Sequence, residues 1–164
     1  MKFIDEATII VQSGNGGRGC VSFRRERYIP RGGPDGGDGG LGGDVIFKAA
    51  ANKRTLYHLQ FKKEYKAPNG KFGEGSQRAG RGGEDLVIEV PVGTLVFDAE
   101  SGERLHDLTD VEQQVTVARG GRGGKGNLHF KSSTNRAPHF AQPGEPGERF
   151  GLRLELKLMA DVGI

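Results

Sequence analysis

Apolar and polar residues alternate in several short stretches of this 164-residue chain, a pattern typical of strands with one buried face. Leucines alternate with charged residues over Leu152–Leu158. Leu86–Asp98 predicts two strands with a bend at Pro91–Gly93, because proline and glycine interrupt strands. Asp98–Gly102 then predicts a hairpin turn, and Thr55–Leu59 a single helical turn. Further strands are predicted at Ala7–Val11, Gly19–Phe23, Asp44–Ala49, Glu103–Asp107 and Gln113–Ala118. The fold class is therefore mainly β, as a small sandwich or barrel.

Glycine-rich runs separate these predicted strands, and the densest is Gly32–Asp44, in which eight of thirteen residues are glycine. From Gly36 the run repeats every three residues, which is the period of a left-handed polyproline II helix and of neither an α-helix nor a strand. Two of the three helix edges are then nearly bare, so neighbouring backbones can approach closely. The glycines expected in such a bundle are Gly33, Gly36, Gly37, Gly39, Gly40, Gly42, Gly43, Gly82, Gly83, Gly120, Gly121, Gly123 and Gly124.

Order in this run requires partners, because fixing eight glycines costs about 4–8 kcal/mol more than fixing alanines. Similar runs at 14–19, 70–75, 80–83, 120–126 and 144–151 supply candidates. The Gly32–Asp44 run has an acidic edge that includes Asp35 and Asp38, whereas the run at 120–126 has a basic edge with Arg122 and Lys125. We expect these two edges to face each other, and the alternative is that both are solvated.

Overall charge changes this picture little, because a net charge of +3 and a pI of about 9.1 are only mildly basic. Nucleic-acid binding would therefore depend on local clusters of arginine. The single cysteine, Cys20, excludes an intramolecular disulfide and indicates a reducing compartment, with a small buried side chain as its expected role. Because no signal peptide or apolar span is visible, we expect a cytoplasmic protein.

Basic residues collect in three loops between the predicted strands, beside aromatic residues such as Tyr28 and Phe140. Guanidinium groups bind phosphates in bidentate geometry, and aromatic rings stack on bases. Loops of this composition on a rigid base predict binding to structured RNA, whereas any single arginine taken alone would be solvated surface charge. The candidate RNA-binding residues are Arg24, Arg25, Arg27 and Arg31, then Arg78 and Arg81, then Lys131 and Arg136.

Other chemistry receives little support from the sequence. Repeated Arg-Gly-Gly triplets occur in disordered RNA-binding tracts, but here they alternate with strand patterns. One copy of a calcium nonapeptide at Gly39–Phe47 is insufficient for a site. The run before Lys125 fails the phosphate-loop pattern at Arg119 and Gly126. The histidines lack metal-ligand spacing and no catalytic set is suggested, so we expect neither a metal site nor an active site in this chain.

Three long motifs identify a resemblance that extends over nearly the whole chain. They are F-R-R-E-R-Y-I-P-R-G-G-P-D-G-G-D-G-G at Phe23–Gly40, G-R-G-G-E-D-L-V-I-E-V-P-V-G-T at Gly80–Thr94, and A-R-G-G-R-G-G-K-G-N-L-H-F-K-S-S-T-N-R at Ala118–Arg136. Each resembles the amino-terminal domain of the Obg family of bacterial GTPases. The resemblance implies stacked polyproline-type helices on an eight-stranded β-barrel. It also implies a role in late assembly of the large (50S) ribosomal subunit, with the basic loop tips reaching ribosomal RNA near the peptidyl transferase centre.

The chain departs from that family where a GTPase domain would begin. Residues 1–157 resemble the Obg domain, and residues 158–164 resemble the first strand of the GTPase domain, without its phosphate loop. The resemblance therefore implies a fragment of a longer protein. Binding of GTP, GDP and magnesium is expected only in the missing domain, and this chain is not expected to be an enzyme.

Two functional hypotheses of different classes remain open at this point. In the first, the chain is a monomeric binding module whose partner is the large ribosomal subunit. In the second, it is a protein–protein docking domain that links the GTPase to stress or regulatory partners, and RNA contact is secondary. An autonomous enzyme is a third and weaker possibility.

Overall fold

The computed structural model describes residues 5–28 and 32–157. Within those ranges eight strands form two mixed sheets, and short 3-10 turns lie at Tyr57–Gln60 and Asn127–Phe130. The strands are β1 (Asp5–Gln12), β2 (Val45–Ala50), β3 (Glu64–Lys66), β4 (Leu86–Pro91), β5 (Thr94–Asp98), β6 (Arg104–Leu108), β7 (Gln114–Ala118) and β8 (Arg149–Leu156).

The two sheets form a sandwich and not a closed barrel. One sheet has the strand order β3-β1-β8-β5-β6, and the other has the order β4-β2-β7. The long antiparallel pair of β1 and β8 runs from Asp5 opposite Leu156 to Gln12 opposite Arg149. Alternate residues of the strands are buried, and their apolar side chains, including Ile9, Phe47 and Leu154, make one core. The prediction of a mainly-β fold with eight strands is thus confirmed, and of the two predicted architectures the structure has the sandwich.

Several predicted elements are found, with small shifts of their ends. The strands on either side of Pro91–Gly93 are β4 and β5, and Gly93 has the positive φ of +94° that such a bend requires. The helical turn predicted at Thr55–Leu59 lies at Tyr57–Gln60. The alternating leucines are buried in β8 as far as Leu156. Residues 158–164, predicted to begin a GTPase domain, lie outside the described ranges.

The predicted strand at Gly19–Phe23 is wrong, and the short strand β3 was not predicted. The N–H of Gly19 donates to the carbonyl of Gln142 and that of Cys20 donates to Gly37, so this stretch belongs to the glycine-rich layer. Only an isolated bridge links Phe23 to Pro34. Cys20, expected to be buried, is half-buried.

The glycine-rich layer consists of three excursions, each of which leaves one strand, runs outward, and returns to another. The first joins β1 to β2, the second joins β3 to β4, and the third joins β7 to β8. Each contributes an outgoing and a returning extended segment. We name the six segments A (13–20), B (36–44), C (67–74), D (78–84), E (119–127) and F (142–148).

Hydrogen bonds between the segments repeat every three residues, as expected for polyproline II helices packed side by side. The pairing of A with B shows the rule: the N–H groups of Gly14, Gly17 and Cys20 donate to carbonyls of B, at Gly43, Gly40 and Gly37, over 2.8–2.9 Å. Hydrogen bonds with the same three-residue spacing join the other neighbouring segments. The antiparallel pairs are A with F, B with C, C with D and F with E, and the parallel pairs are D with B and E with A. Segments A and B therefore lie at the centre.

Close approach of backbones explains why the segments are made of glycine. A Cβ atom at Gly39 would lie 1.8 Å from the carbonyl oxygen of Gly17, and one at Gly123 would lie 1.8 Å from that of Gly39. A Cβ would likewise come within 2.3 Å of a backbone oxygen at Gly36, Gly37, Gly40, Gly42, Gly43, Gly83, Gly120, Gly121 and Gly124. Two of the predicted bundle positions differ: at Gly33 and Gly82 the nearest atoms are 3.7 and 3.6 Å away, so both have room for a methyl group.

Segments B and E are neighbours, but their charged edges do not pair as expected. Asp38 Oδ1 accepts the N–H of Gly126 at 2.9 Å, and Asp44 Oδ1 accepts that of Gly120 at 2.7 Å. Arg122 instead forms an ion pair with Glu145 of segment F at 3.2 Å. The two runs are therefore packed together in one bundle, as expected, but no ion pair joins Asp35 or Asp38 to Arg122 or Lys125. The physical reason is that the antiparallel register brings the carboxylates onto backbone N–H groups, which are strong donors at a carboxylate.

Asp98 closes the hairpin between β5 and β6, and its titration provides a test of this turn. The backbone N–H of Ser101, and then that of Glu100, donate to its carboxylate and hold the pKa of Asp98 below its usual value. The stabilisation should therefore be complete above the usual pKa of an aspartate and be lost as pH falls through the lowered value in the folded state. An NMR titration of the carboxyl carbon should show this, and Asp98→Asn, which keeps an acceptor oxygen, should remove the pH dependence. Titration of Asp98 at or above its usual pKa would contradict the assignment.

Candidate nucleic-acid interface

All three excursions turn back at the same end of the bundle, away from the sheets. This follows from the pairing, since the outgoing segments A, C and E run parallel and the returning segments are antiparallel to them. The tips are residues 21–28 with 32–35, residues 75–77, and residues 128–141. Eight residues of polyproline II span about 25 Å, so the tips stand roughly that far beyond the sandwich.

Asp35 connects the first tip to the second. Its N–H donates to Ser22 at 2.9 Å, its carbonyl accepts the N–H of Gln77 at 2.6 Å, and its Oδ2 accepts that of Ser76 at 3.1 Å. Ser76 and Gln77 both have a φ of +60°, a conformation unfavourable for residues other than glycine. The two bonds from Asp35 therefore hold a strained turn in one conformation.

Asn127 connects the first tip to the third and is fully buried. Its Oδ1 accepts the N–H of Gly36 at 2.8 Å, and its Nδ2 donates to the carbonyls of Ser22 and Pro138, each at 3.0 Å. The polar groups of this side chain are thus hydrogen-bonded to backbone atoms of three separate stretches of the chain. Asn127 occupies the position that continues the glycine edge of Gly121 and Gly124, and this break in the repeat is the sequence signal for its role.

One aromatic contact joins the first tip to the third, and a second lies within the third tip. The rings of Phe23 and His139 lie 5.0 Å apart, and those of Phe130 and Phe140 lie 4.8 Å apart. Phe140 nevertheless keeps about half of its surface exposed, and Tyr28 at the first tip is 83% exposed. These rings present apolar faces at the same end of the molecule as the basic residues.

The predicted RNA-binding residues are exposed wherever the structure describes them, and most of them lie at these tips. Arg24 pairs with Glu26 at 2.8 Å, and Arg78 pairs with Glu74 at 3.6 Å. Arg27 lies 5.5 Å from the centre of the Tyr28 ring. Such exposed pairs contribute only about 0–1 kcal/mol, so they leave the guanidinium groups available to phosphates. The remaining tip residues are Arg25, Lys131 and Arg136, which form no ion pair with any described residue.

Two predicted residues do not join this group. Arg31 lies outside the described residues. Arg81 lies part-way along segment D, on the flank of the bundle, where its carbonyl accepts the N–H of Lys71 at 2.8 Å. It lines an open cleft of about 840 Å³ between segments C and D. Arg81 therefore faces a different surface from the tips.

Among the described residues, no group of three or more histidine, cysteine or acidic side chains could hold a metal ion. No helix of residues 5–28 and 32–157 is long and apolar enough to span a membrane.

The sandwich and the glycine bundle define a mainly-β domain whose exposed chemistry is basic and aromatic. Comparison with known proteins is more specific: a family model described as GTP1/OBG matches residues 4–158, and the chain belongs to that family. The resemblance found in the sequence motifs is thereby confirmed.

Curated relatives from three organisms match this chain over its full 164 residues. The chain is 64% identical over 164 residues to the GTPase Obg of Desulfatibacillum aliphaticivorans, 62% to that of Desulfosudis oleivorans, and 57% to that of Persephonella marina. Each match covers all of this chain but only 49%, 49% and 48% of the respective relative. The chain thus spans about half the length of the curated relatives it matches.

Proposed function

We propose that this chain is the ribosome-binding domain of an Obg-type GTPase that acts in late assembly of the large ribosomal subunit. Its basic tips contact ribosomal RNA near the peptidyl transferase centre. The observation that carries the proposal is the convergence of three tips at one end of a stiff bundle, two of them basic and aromatic and the remaining one followed directly by Arg78. A GTPase domain in the other half of the protein binds GTP or GDP with magnesium, and the protein acts as a monomer in the cytoplasm.

Stiffness supports this function because a rigid binder loses little conformational entropy on association. The glycine segments fix one another through backbone bonds, and Asp35 and Asn127 fix the tips to the segments. Arginines can then bind phosphates while Tyr28 and Phe140 offer rings to unstacked bases. A flexible tract of the same composition would have to be ordered on each binding event.

Association with separated ribosomal subunits should depend steeply on salt. If the tips neutralise about six phosphates, the logarithm of the association constant should fall with the logarithm of the salt concentration at a slope of about −4 to −5. Co-sedimentation of the chain with large and small subunits across a salt series measures this slope and the preference between subunits. Nearly salt-independent association with the large subunit would contradict the proposal.

Removal of tip cations should weaken that association without affecting the fold. Replacing both Lys131 and Arg136 by alanine should reduce the steepness of the salt slope by about 1–2. The matched control replaces Arg104 on β6 and Arg119 at the root of segment E, both exposed and both far from the tips. Equal losses in the two double variants would reject the tips as the contact surface.

Binding of a protein partner is the competing hypothesis, and ribonuclease treatment distinguishes it from RNA binding. The chain should lose its ribosomal material when extracts are treated with ribonuclease before capture. Retention of one defined protein after this treatment, and its loss from the variant lacking Lys131 and Arg136, would favour the docking hypothesis.

A further inference from the structure

An exposed aromatic pair lies at the end of the sandwich opposite the tips. Tyr57 is 60% exposed and Phe61 is 73% exposed, and their rings meet edge to face with centres 4.8 Å apart. Tyr57 begins the 3-10 turn that packs beside the start of β1, and Phe61 directly follows that turn. The glycine bundle begins beyond the other end of β1, after Gln12.

The backbone under this pair is firmly held. Leu56 and Leu59 are buried in the core, and the N–H of Leu56 donates to Asp5 Oδ2 at 2.6 Å. Gln60 Nε2 donates to the carbonyl of Glu6 at 3.1 Å, and a ring nitrogen of His58 lies 2.9 Å from the carbonyl oxygen of Glu89. The exposed rings are therefore displayed on an ordered turn and are not side chains of a loose loop.

Cations flank the aromatic pair on both sides in sequence. Lys53 and Arg54 precede it and Lys62 and Lys63 follow it, and none of the four forms an ion pair with a carboxylate of residues 5–28 or 32–157. The Lys62 ammonium lies 5.0 Å from the centre of the Tyr65 ring. Glu64 is the acid next to them in sequence, and it is paired with Arg149 at 2.7 Å. We call Lys53, Arg54, Tyr57, Phe61, Lys62 and Lys63 the aromatic–lysine patch.

We propose that the aromatic–lysine patch is a second nucleic-acid site, which takes a short stretch of single-stranded RNA. Unpaired bases stack on Tyr57 and Phe61, while the four cations contact the flanking phosphates. Rings on a positively charged surface are the combination that binds single strands with little sequence preference. The four cations outnumber the exposed acids beside the turn, Glu6 and Glu89, and this excess favours a polyanion over an apolar protein surface as the occupant. The patch acts independently of the tips, so the domain holds RNA at both ends.

The test is titration of the chain with a fluorescently labelled twelve-nucleotide oligouridylate, followed by anisotropy. Replacing Tyr57 and Phe61 together by alanine should weaken binding by at least about fivefold, the smallest loss expected for a single stacked base, and by more if each ring holds a base. Replacing Lys62 and Lys63 should make the salt slope shallower by about 1.4. Phe72→Ala is the matched control, because Phe72 is also exposed, at 71%, but lies in segment C of the bundle.

Aromatic replacements separate stacking from a structural effect. Tyr57→Trp with Phe61→Trp should bind the oligonucleotide at least as tightly as the natural chain, since stacking needs only a ring. Unchanged affinity in the double alanine variant, or a loss equal to that of Phe72→Ala, would overturn the proposal and leave the patch for a protein partner.

The failure of this proposal can be distinguished from failure of the proposed ribosomal function. The variant lacking Lys131 and Arg136 should still show shifts of the Tyr57 ring protons in NMR spectra on addition of the oligonucleotide. Absence of those shifts in both that variant and the natural chain would overturn the second site, whatever happens to subunit binding.

Discussion

Replacing Gly39 by alanine is expected to disrupt the glycine bundle. The added Cβ would lie 1.8 Å from the carbonyl oxygen and 2.2 Å from the carbonyl carbon of Gly17, both of them backbone atoms. Relief requires that the two central segments A and B move apart, which breaks their shared hydrogen bonds. We expect a loss of at least about 4 kcal/mol in the free energy of unfolding, which places this substitution among the most damaging single changes.

Gly82→Ala is the matched control for this prediction. Gly82 also lies in a glycine-rich segment, but the nearest atom to an added Cβ is the Leu41 oxygen at 3.6 Å. Alanine there should be neutral or should stabilise by about 0.4–1 kcal/mol, because it restricts the unfolded chain. Urea unfolding of both variants, with hydrogen exchange of the amides in segment B, gives the comparison. Equal stability of the two variants would show that the segments are not packed as described.

Replacing Asn127 by alanine is expected to release the first and third tips from the bundle. The N–H of Gly36 and the carbonyl of Pro138 each lose their only hydrogen-bond partner among the described residues. A buried group left without a partner costs about 1–3 kcal/mol, so we expect a total loss of about 2–5 kcal/mol. The tips should also exchange their amide hydrogens faster than in the natural chain.

Asn69→Ala provides the control for that substitution. Asn69 also accepts one backbone N–H, that of Asn15 at 2.9 Å, but it is exposed and water can replace it. Its loss should cost less than about 1 kcal/mol. If Asn127→Ala left tip exchange rates and unfolding unchanged, the tips would have to be held by contacts other than the Asn127 side chain.

The sequence predicts the sandwich well because most of its strands bury one face. Leucine alternation in β8 and the interruption at Pro91–Gly93 depend only on neighbours in the chain, so local pattern is sufficient for both. The strand β3 has just three residues, Glu64–Lys66, and none is fully buried, which leaves no alternation to detect. The prediction of a strand at Gly19–Phe23 fails because polyproline II has an extended backbone like that of a strand.

The three-residue repeat predicts the type of the glycine segments but not their arrangement. Glycine carries no side chain, so nothing local specifies that segment B contacts A, C, D and E. The mispredicted ion pairs show the same limit. Asp38 was matched to cations by charge, whereas the register places it 2.9 Å from the backbone N–H of Gly126. Register is a property of the assembled bundle.

The candidate site was predictable in its chemistry and not in its geometry. Arginines beside Tyr28 indicate phosphate and base contacts from composition alone. The tips converge because the three excursions leave and return side by side. That course is determined by the pairing of strands that are distant in the chain. The support from Asp35 and Asn127 involves backbone partners far away in sequence, such as Gly36 for Asn127.

The three-residue step of the bundle also restricts how its length can change in evolution. One polyproline turn holds three residues, so a single-residue insertion in segment B would rotate every later position by one third of a turn. Asp38 or Leu41 would then occupy a place where only glycine fits. Viable insertions and deletions within the segments must therefore come in multiples of three, while the tips, which lie beyond the three-residue repeat, are free of that restriction.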